Sequence, residues 1–574
     1  MLEVKQFPRD MSTLEVDRTD AKHCLISGLF EESVKVGDTQ RRFYTYIAPG
    51  LCSNQPCLVL APPEDVPVLG FLEQGFWLDF AQEHQIFLHI LEPVDGKYRL
   101  DGTDAAYMNR VYVEIQSRKF YVTMQDNIYA AGIGGGAAVA QQAAMEMASE
   151  WSGLATFGEM VPEVLHSAQR AHGGEDAGKT ELVVSGTKAQ LPVWMAWGTN
   201  AGANGAVCDY WKGQNDTDGE AFSNRWADEI YFPSRVCKKS QVNEEKIAQV
   251  RVTNGCAGEP SEAFFNAVWD FISLARRHRS FGKKALRWYE DPAAYGAELH
   301  TMEADGFTRR WYEYVPESVR DSAAPVPLVV CMHGRGGSAE SFIDLSGLNR
   351  VAEERGFIAV FPEAGIYQQR PGGLRNVLLW NGSYQGKSID DVPFVLALID
   401  DVKSRYAIDA SRVYACGQSS GGMMTSQLAL RAPDVFAAVS PWSAIVDPDH
   451  ELVLPEKIDP AVPYMFLFGD SDWLCVDREH GELEYRVAHD IAAFLKNLMM
   501  LYQLDEEPRS YTVGEISWYV YLNKKRVPML TVGTVKGMSH ANYPRESWIA
   551  YDEFLSKFSR TADGTLLYMG EEAL

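Results

Sequence analysis

Several things that would mark a protein class are missing from this sequence. No stretch reaches the ~18 uncharged apolar residues that a membrane span requires. The opening MLEVKQFPRDMSTLEVDRTD lacks the apolar core of a secretory leader, so a cytoplasmic location is expected. Cysteine is sparse, nine in 574 residues, and scattered without CxxC spacing. That excludes a disulfide framework and a zinc cluster as organising devices. HEXXH is absent and no two histidines stand four residues apart, so neither a metal nor another cofactor is expected. Positive charge is short: 53 Lys+Arg against 78 Asp+Glu leave a net charge of −25. Such a surface repels nucleic acid and anionic membranes, and neither is an expected partner.

What the chain does have is length and internal similarity. At ~150 residues per domain, 574 residues suggest three to four domains, but a repeat reorganises that count. Arg41–Pro49 (RRFYTYIAP) resembles Arg309–Pro316 (RRWYEYVP), and Gln55–Pro63 lines up with Val326–Gly334. Leu78–Pro93 matches Asn349–Glu363, Asp126–Gly136 matches Ser411–Gly421, and Leu191–Asn200 matches Val462–Asp472. Five blocks in one order, at an offset near 270–285 residues, predict two tandem copies of one fold. Within each copy, short β-branched runs such as LVVCM, FIAVF and RVYAC alternate with helical patterns. One of these places Phe394, Leu398 and Val402 at helical spacing. That pattern predicts an α/β architecture, a mostly parallel sheet with helices on both faces. The charged segment Arg276–Gly296 is the expected joint, giving domains at 1–285 and 286–574 that touch one another. The oligomeric state is left open.

Chemistry concentrates in the second copy. Gly417-Gln418-Ser419-Ser420-Gly421 follows the strand RVYAC and opens the helical run GGMMTSQLALRA, the strand–turn–helix context that pushes a nucleophile outward. His333-Gly334-Arg335-Gly336-Gly337 follows the strand VPLVVCM. Main-chain N–H groups at Gly334 and Arg335, with that of Ser420, are candidate donors to an oxyanion. An orienting acid and a general base are then needed, in the order Ser, acid, His. FLFGDSDWLCVD supplies Asp472, immediately after a strand, with Asp470 and Asp477 as alternatives. TVGTVKGMSHANYPRE supplies His540, while His480 and His489 lie in a charged segment that reads as surface helix. His333, Trp380, Trp442 and Trp473 are candidate pocket residues at the expected mouth.

These motifs carry a resemblance. HGRGGSAESF, IDDVPFVLALIDDV with Asp390-Asp391-Val392, SRVYACGQSSGGMMT, the GDSD turn and the GMSH segment are similar to those of the polyhydroxybutyrate depolymerase-like esterases. These are relatives of the feruloyl and acetylxylan esterases of the α/β-hydrolase superfamily. The resemblance covers about Leu299–Phe558. It implies hydrolysis of a small or oligomeric carboxylic ester, with Ser419 as nucleophile, His540 as base and Asp472 as orienting acid. A peptidase or acyltransferase using the same three residues is the alternative.

The first copy lacks each of these features. Gly134 stands where the nucleophile would, Pro62-Pro63 replaces the HG loop and offers no N–H, Ala201 takes the acid position, and Cys256 or Ala257 the histidine position. A non-catalytic domain is expected. Gly132-Ile133-Gly134-Gly135-Gly136-Ala137 also fits a dinucleotide-binding fingerprint, a second hypothesis for this half.

Overall fold

Short apolar runs become strands buried along their whole length, as in Cys57–Ala61 and Phe87–Leu91. The computed structural model describes residues 2–8, 14, 17–116, 121, 126–170, 189–234, 246–278, 285–320, 322–370, 373–376, 378–380, 389–444, 460–472, 475 and 489–574. It divides into two units, Met1–Leu14 with His23–Glu290, and Glu15–Lys22 with Asp291–Leu574. The division therefore falls at Glu290/Asp291, inside the expected joint. Residues 15–22 cluster with the second unit, which a boundary drawn from sequence alone did not foresee.

The first unit is built on strands β1 (Val4–Gln6), β2 (Gly28–Val36), β3 (Thr39–Ile47), β4 (Cys57–Ala61) and β5 (Phe87–Leu91). They continue as β6 (Ile128–Ile133), β7 (Gly153–Phe157), β8 (Val193–Trp197), β9 (Glu229–Tyr231) and β10 (Val250–Asn254). Their order is β1-β2-β3-β5-β4-β6-β7-β8-β10-β9, parallel from β5 to β10. The charged joint forms a separate ribbon, β11 (Ala275–His278) with β12 (Ala285–Trp288). Alternate residues of one strand enter different cores. Val59 and Ala61, Val193 and Met195 lie in one apolar cluster, whereas Leu58 and Leu60, Trp194 and Ala196 lie in another. Both faces are covered, so the strands read as unbroken apolar runs. Each fully buried Val, Leu or Phe adds roughly 1.5–3 kcal/mol.

The second unit repeats the plan. Its strands are β13 (Ala297–Ala304), β14 (Phe307–Tyr314), β15 (Val326–Met332), β16 (Ile358–Pro362), a small hairpin β17 (Tyr367–Arg370) with β18 (Gly373–Asn376), and β19 (Ile408–Gln418). Then come β20 (Ala438–Trp442), β21 (Tyr464–Gly469), β22 (Arg509–Val513), β23 (Ile516–Leu522), β24 (Pro528–Val535), and a terminal three-stranded sheet of β25 (Phe558–Arg560), β26 (Leu566–Tyr568) and β27 (Glu571–Glu572). The large sheet runs β13-β14-β16-β15-β19-β20-β21-β24-β23-β22. From β2 to β9 in one sheet and β13 to β23 in the other, strand order and direction agree at every step.

A buried ion pair is shared as well. Arg309 on β14 meets Asp391 at 2.7 Å, with no exposed side-chain surface on either, and its guanidinium lies over Phe394. Arg41 on β3 meets Asp104 at 2.6 Å and lies over Tyr107. In both units the ring stands three residues after the acid on the same helix, Thr103–Ile115 or Asp391–Arg405. The latter helix is capped by the Asp390 side chain and buries Phe394, Leu398 and Val402, the stripe read from its spacing.

Candidate active site

β19 ends at Gln418 and the chain turns directly into helix Ser420–Arg431. Ser419 holds the turn at φ 54°, ψ −119°, a conformation that costs a non-glycine residue roughly 1–3 kcal/mol. The flanking glycines are obligatory for a different reason. A Cβ on Gly421 would overlap Met332 O, and one on Gly417 would lie 2.6 Å from the same oxygen. Ser419 N donates to Trp442 O at 2.8 Å, tying the turn to the end of β20.

β21 and β24 are parallel neighbours, so the loops at their C-terminal ends lie side by side. The two loops are latched. Asp470 N donates to Val535 O, Ser471 N to Met538 O, and Gly537 N to Asp470 Oδ1 at 2.7 Å. Gly469 has no room for a side chain, because a Cβ there would overlap Met538 O. Held this way, His540 Nδ1 lies 2.9 Å from Asp472 Oδ2, and His540 Nε2 lies 2.9 Å from Ser419 Oγ. An imidazole protonated at Nδ1 donates to the Asp472 carboxyl group and leaves its Nε2 lone pair for the Ser419 hydroxyl. Asp472 is fully buried, while the His540 side chain keeps 20% of its surface exposed. The structure thus brings Ser419, Asp472 and His540 into one hydrogen-bonded chain and commits Asp470 to the latch. Asp477, His480 and Trp473 lie outside the described residues. His489 opens helix His489–Leu501.

The loop after β15 is shaped from within. Gly337 N donates to Gly334 O and Gly336 N to Leu378 O. Gly334 lies against the side chain of Gln418, where a Cβ would overlap Gln418 Oε1. Arg335 is exposed. Ser420 opens its helix, so its N–H has no acceptor within the helix and remains a candidate oxyanion donor.

Three of the expected pocket residues belong to the core instead. His333 is fully buried; its Nδ1 lies 2.8 Å from Gly334 O, and its Nε2 accepts from Ala364 N at 3.1 Å. Burial lowers its pKa, so the ring is a neutral brace for the loop. Trp380 Nε1 donates to His333 O, and Trp442 Nε1 to Ser440 Oγ. Both indoles are at most 1% exposed and offer no surface to a ligand. Burial and internal hydrogen bonds, rather than a mouth, account for these side chains.

A second buried charge cluster near this loop has no signature in the local sequence. Glu363, just past β16, takes Ala339 N on Oε2 and pairs with Lys22 Nζ at 2.5 Å through Oε1. Burial alone would raise the Glu363 pKa, but Lys22 and the hydrogen bonds more than offset it and hold the group ionised. Lys22 arrives on the segment that clusters with this unit, where Ala21 N donates to Thr308 O and Ile366 N to Ala21 O. No local pattern around either residue marks a pair 341 positions apart.

The first unit keeps the turn, with glycine in place of the serine. Gly134 sits at φ 57°, ψ −124°, and its N–H donates to Phe157 O. Glu64, next after Pro62-Pro63, lays its carboxylate over Gly135, 2.5 Å from where a Cβ would stand. Near the acid position, Asn200 Nδ2 donates to Glu229, and Cys256 N donates to Trp197 O. The fixed Glu64 carboxylate at this helix start repels a pyrophosphate, which argues against the dinucleotide reading.

Comparison with known proteins bears on the second unit. Residues 313–453 match the family model described as Esterase PHB depolymerase, a span that contains Ser419 and stops short of Asp472 and His540. A feruloyl esterase B of Neurospora crassa is 34% identical over 136 residues, 24% of this chain and 44% of that protein. An acetylxylan esterase of Coprinopsis cinerea is 27% identical over 157 residues, 27% of this chain and 40% of that protein. The chain thus spans less than half the length of these relatives. Among solved structures, an acetyl xylan esterase from Aspergillus awamori overlays with a TM-score of 0.34 at 16% identity, over 45% of this chain and 99% of that one. At that score the overlay adds nothing to the fold described above. The resemblance read from the motifs is borne out over residues 313–453.

Proposed function

We propose that the second unit, with its likeness to the PHB depolymerase esterases, hydrolyses carboxylic esters through Ser419, His540 and Asp472. The observation that carries this reading is the unbroken chain of two 2.9 Å contacts from Asp472 through His540 to Ser419, on a strained turn. His540 Nε2 takes the Ser419 proton as Oγ attacks the ester carbonyl. Asp472 holds the imidazole in the required tautomer and balances the imidazolium that forms. The tetrahedral oxyanion lies toward Ser420 N–H and the Gly334–Arg335 loop. His540 then returns the proton to the leaving alcohol, and water repeats the sequence on the acyl-enzyme. The proposed substrates are polyhydroxyalkanoate-, aryl- or feruloyl-type esters, small or oligomeric; the family model's description supports the first class and a relative's name the last.

The first unit is read as a duplicate of the same fold released from catalysis. Matching strand order, the shared ion pair and the glycine elbow support that reading.

The test is a panel of p-nitrophenyl, feruloyl and hydroxybutyryl esters with wild type and Ser419→Ala, alongside labelling by a fluorophosphonate. Ser419→Ala should fold, resist labelling and lose about 10⁶-fold in kcat. Retained turnover or labelling elsewhere in the chain would remove the assignment. Faster turnover of peptides than of any ester would favour the peptidase alternative.

A further inference from the structure

The end of β20 touches all three segments that carry the site. Trp442 O accepts from Ser419 N at 2.8 Å, which fixes the nucleophile turn. The next residue, Ser443, donates its N–H to Leu467 O at 2.7 Å on β21, the strand that delivers Asp472. Its Oγ donates at 2.9 Å to the carbonyl oxygen of Ala541, the residue after His540. Ser443 is 1% exposed and sits at φ 40°, in the left-handed region that non-glycine residues avoid. Strain of this kind persists only where surrounding contacts impose it, and it collects at working sites.

The first unit supplies an internal control. Gly158 occupies the matching place: its N–H donates to Ala196 O, and the preceding Phe157 O accepts from Gly134 N. Gly158 does not take a left-handed φ, and a Cβ there would lie 2.6 Å from Gly134 O at the elbow. A side chain at this position would therefore press on the nucleophile turn unless the backbone rotated. In the second unit the backbone has rotated, and the side chain it carries reaches the histidine loop. The copy with a histidine pays this strain, and the copy without one has a glycine.

We propose that Ser443 is a positioning residue whose hydroxyl, aimed by its left-handed backbone, fixes the His540 loop between the nucleophile turn and the acid strand. The proposal rests on the esterase reading above and adds a fourth side chain to it. On the N-terminal side of His540, the loop is held by Gly537 N to Asp470 Oδ1 and Ser471 N to Met538 O. Ser443 supplies the hold on the residue directly after it. Without the Ser443 hydroxyl, Ala541 shifts and the imidazole loses its alignment to both Asp472 and Ser419. Misplacement by about 1 Å is enough to cost on the order of 100-fold in rate.

The experiment uses full-length Ser443→Ala and Ser443→Gly beside wild type, with p-nitrophenyl acetate as probe. Three quantities are read: kcat and KM separately, the acid limb of the kcat/KM–pH profile, and the thermal midpoint. Both variants should lose about 10- to 100-fold in kcat with KM within about twofold. The acid limb should move to lower pH, because a loosened Asp472 contact stabilises the imidazolium less. Ser443→Gly relieves the backbone strain, so its midpoint should equal or exceed that of wild type while its kcat falls. That opposition of stability and activity is what a merely structural serine would not produce. Wild-type kcat and an unmoved acid limb in Ser443→Gly would overturn the proposal, as would a kcat loss that follows the midpoint in both variants. A wild-type protein that cleaves no ester would overturn the esterase reading itself, and this proposal with it.

Discussion

Gly134 and Ser419 occupy the same backbone conformation at the same place in two sheets, φ 57°, ψ −124° against φ 54°, ψ −119°. Each donates its N–H to the last residue of the next strand, Phe157 or Trp442. The turn is thus set by packing of the strand–helix joint and not by the side chain it displays. In one sheet that conformation is held by a glycine at little cost, and in the other by a strained serine.

Placing a serine on the silent turn should therefore restore nothing. A Cβ at Gly134 would meet only Pro63 atoms at 3.7 Å, so Gly134→Ser has room and costs about 1–3 kcal/mol of backbone strain. In a Ser419→Ala background it should fold and show no ester turnover or fluorophosphonate labelling. Turnover in that double variant would show that the first unit retains a working base.

The two aspartates of the GDSD turn should separate cleanly. Asp472→Asn leaves His540 in the wrong tautomer and should lower kcat by about 10⁴-fold. Asp470→Asn keeps an oxygen for Gly537 N and Ser471 Oγ, and the hydrogen bonds at stake are worth ~1 kcal/mol each, so the loss should stay below about tenfold. Steady-state kinetics on one chromogenic ester decides between them, and the reverse ranking would assign the acid to Asp470.

Lys22 should matter to stability out of proportion to its position near the chain start. Lys22→Met strands the Glu363 carboxylate in the interior, a loss of about 3–5 kcal/mol. Lys22→Met combined with Glu363→Gln should recover much of it, because neither charge is then left alone. Urea unfolding monitored by tryptophan fluorescence would test this, and an unchanged midpoint in Lys22→Met would show that the pair contributes nothing.

A pH signature should come from Glu546, which opens helix Glu546–Glu553 just beyond His540. Burial pushes its pKa up to about 8, although Asn542 and Tyr543 N hydrogen-bond its oxygens. The folded state then keeps a proton that the unfolded chain releases near pH 4.5. Between those values the native state binds more protons, so its stability falls as pH rises from about 4.5 to 8 and then levels. Glu546→Gln should flatten that slope. Thermal midpoints at pH 5, 6.5 and 8 are the measurement, and parallel curves for the two proteins would refute it.

Features that depend on local pattern can be read along the chain. Apolar runs of strand length, the glycines around Ser419, and the order Ser419, Asp472, His540 are legible because periodicity and turn chemistry act over a few residues. The five paired blocks also fall on corresponding strands, since each run must bury both faces wherever it occurs. Tertiary structure decided what depends on distant neighbours. Trp380 and Trp442 look the same in sequence whether they line a mouth or fill a core, and only their burial in the folded chain tells the two apart. Lys22 with Glu363, and Ser443 with Ala541, are pairs made by topology, across 341 and 98 residues respectively. Asp472 is preferred over Asp470 already in the sequence, for its place just after a strand, but the Asp470 latch to Gly537 and the 2.9 Å approach of Asp472 to His540 exist only because β21 and β24 lie side by side. Burial and hydrogen bonding are satisfied over the whole fold at once, and no window of sequence contains the partners that satisfy them.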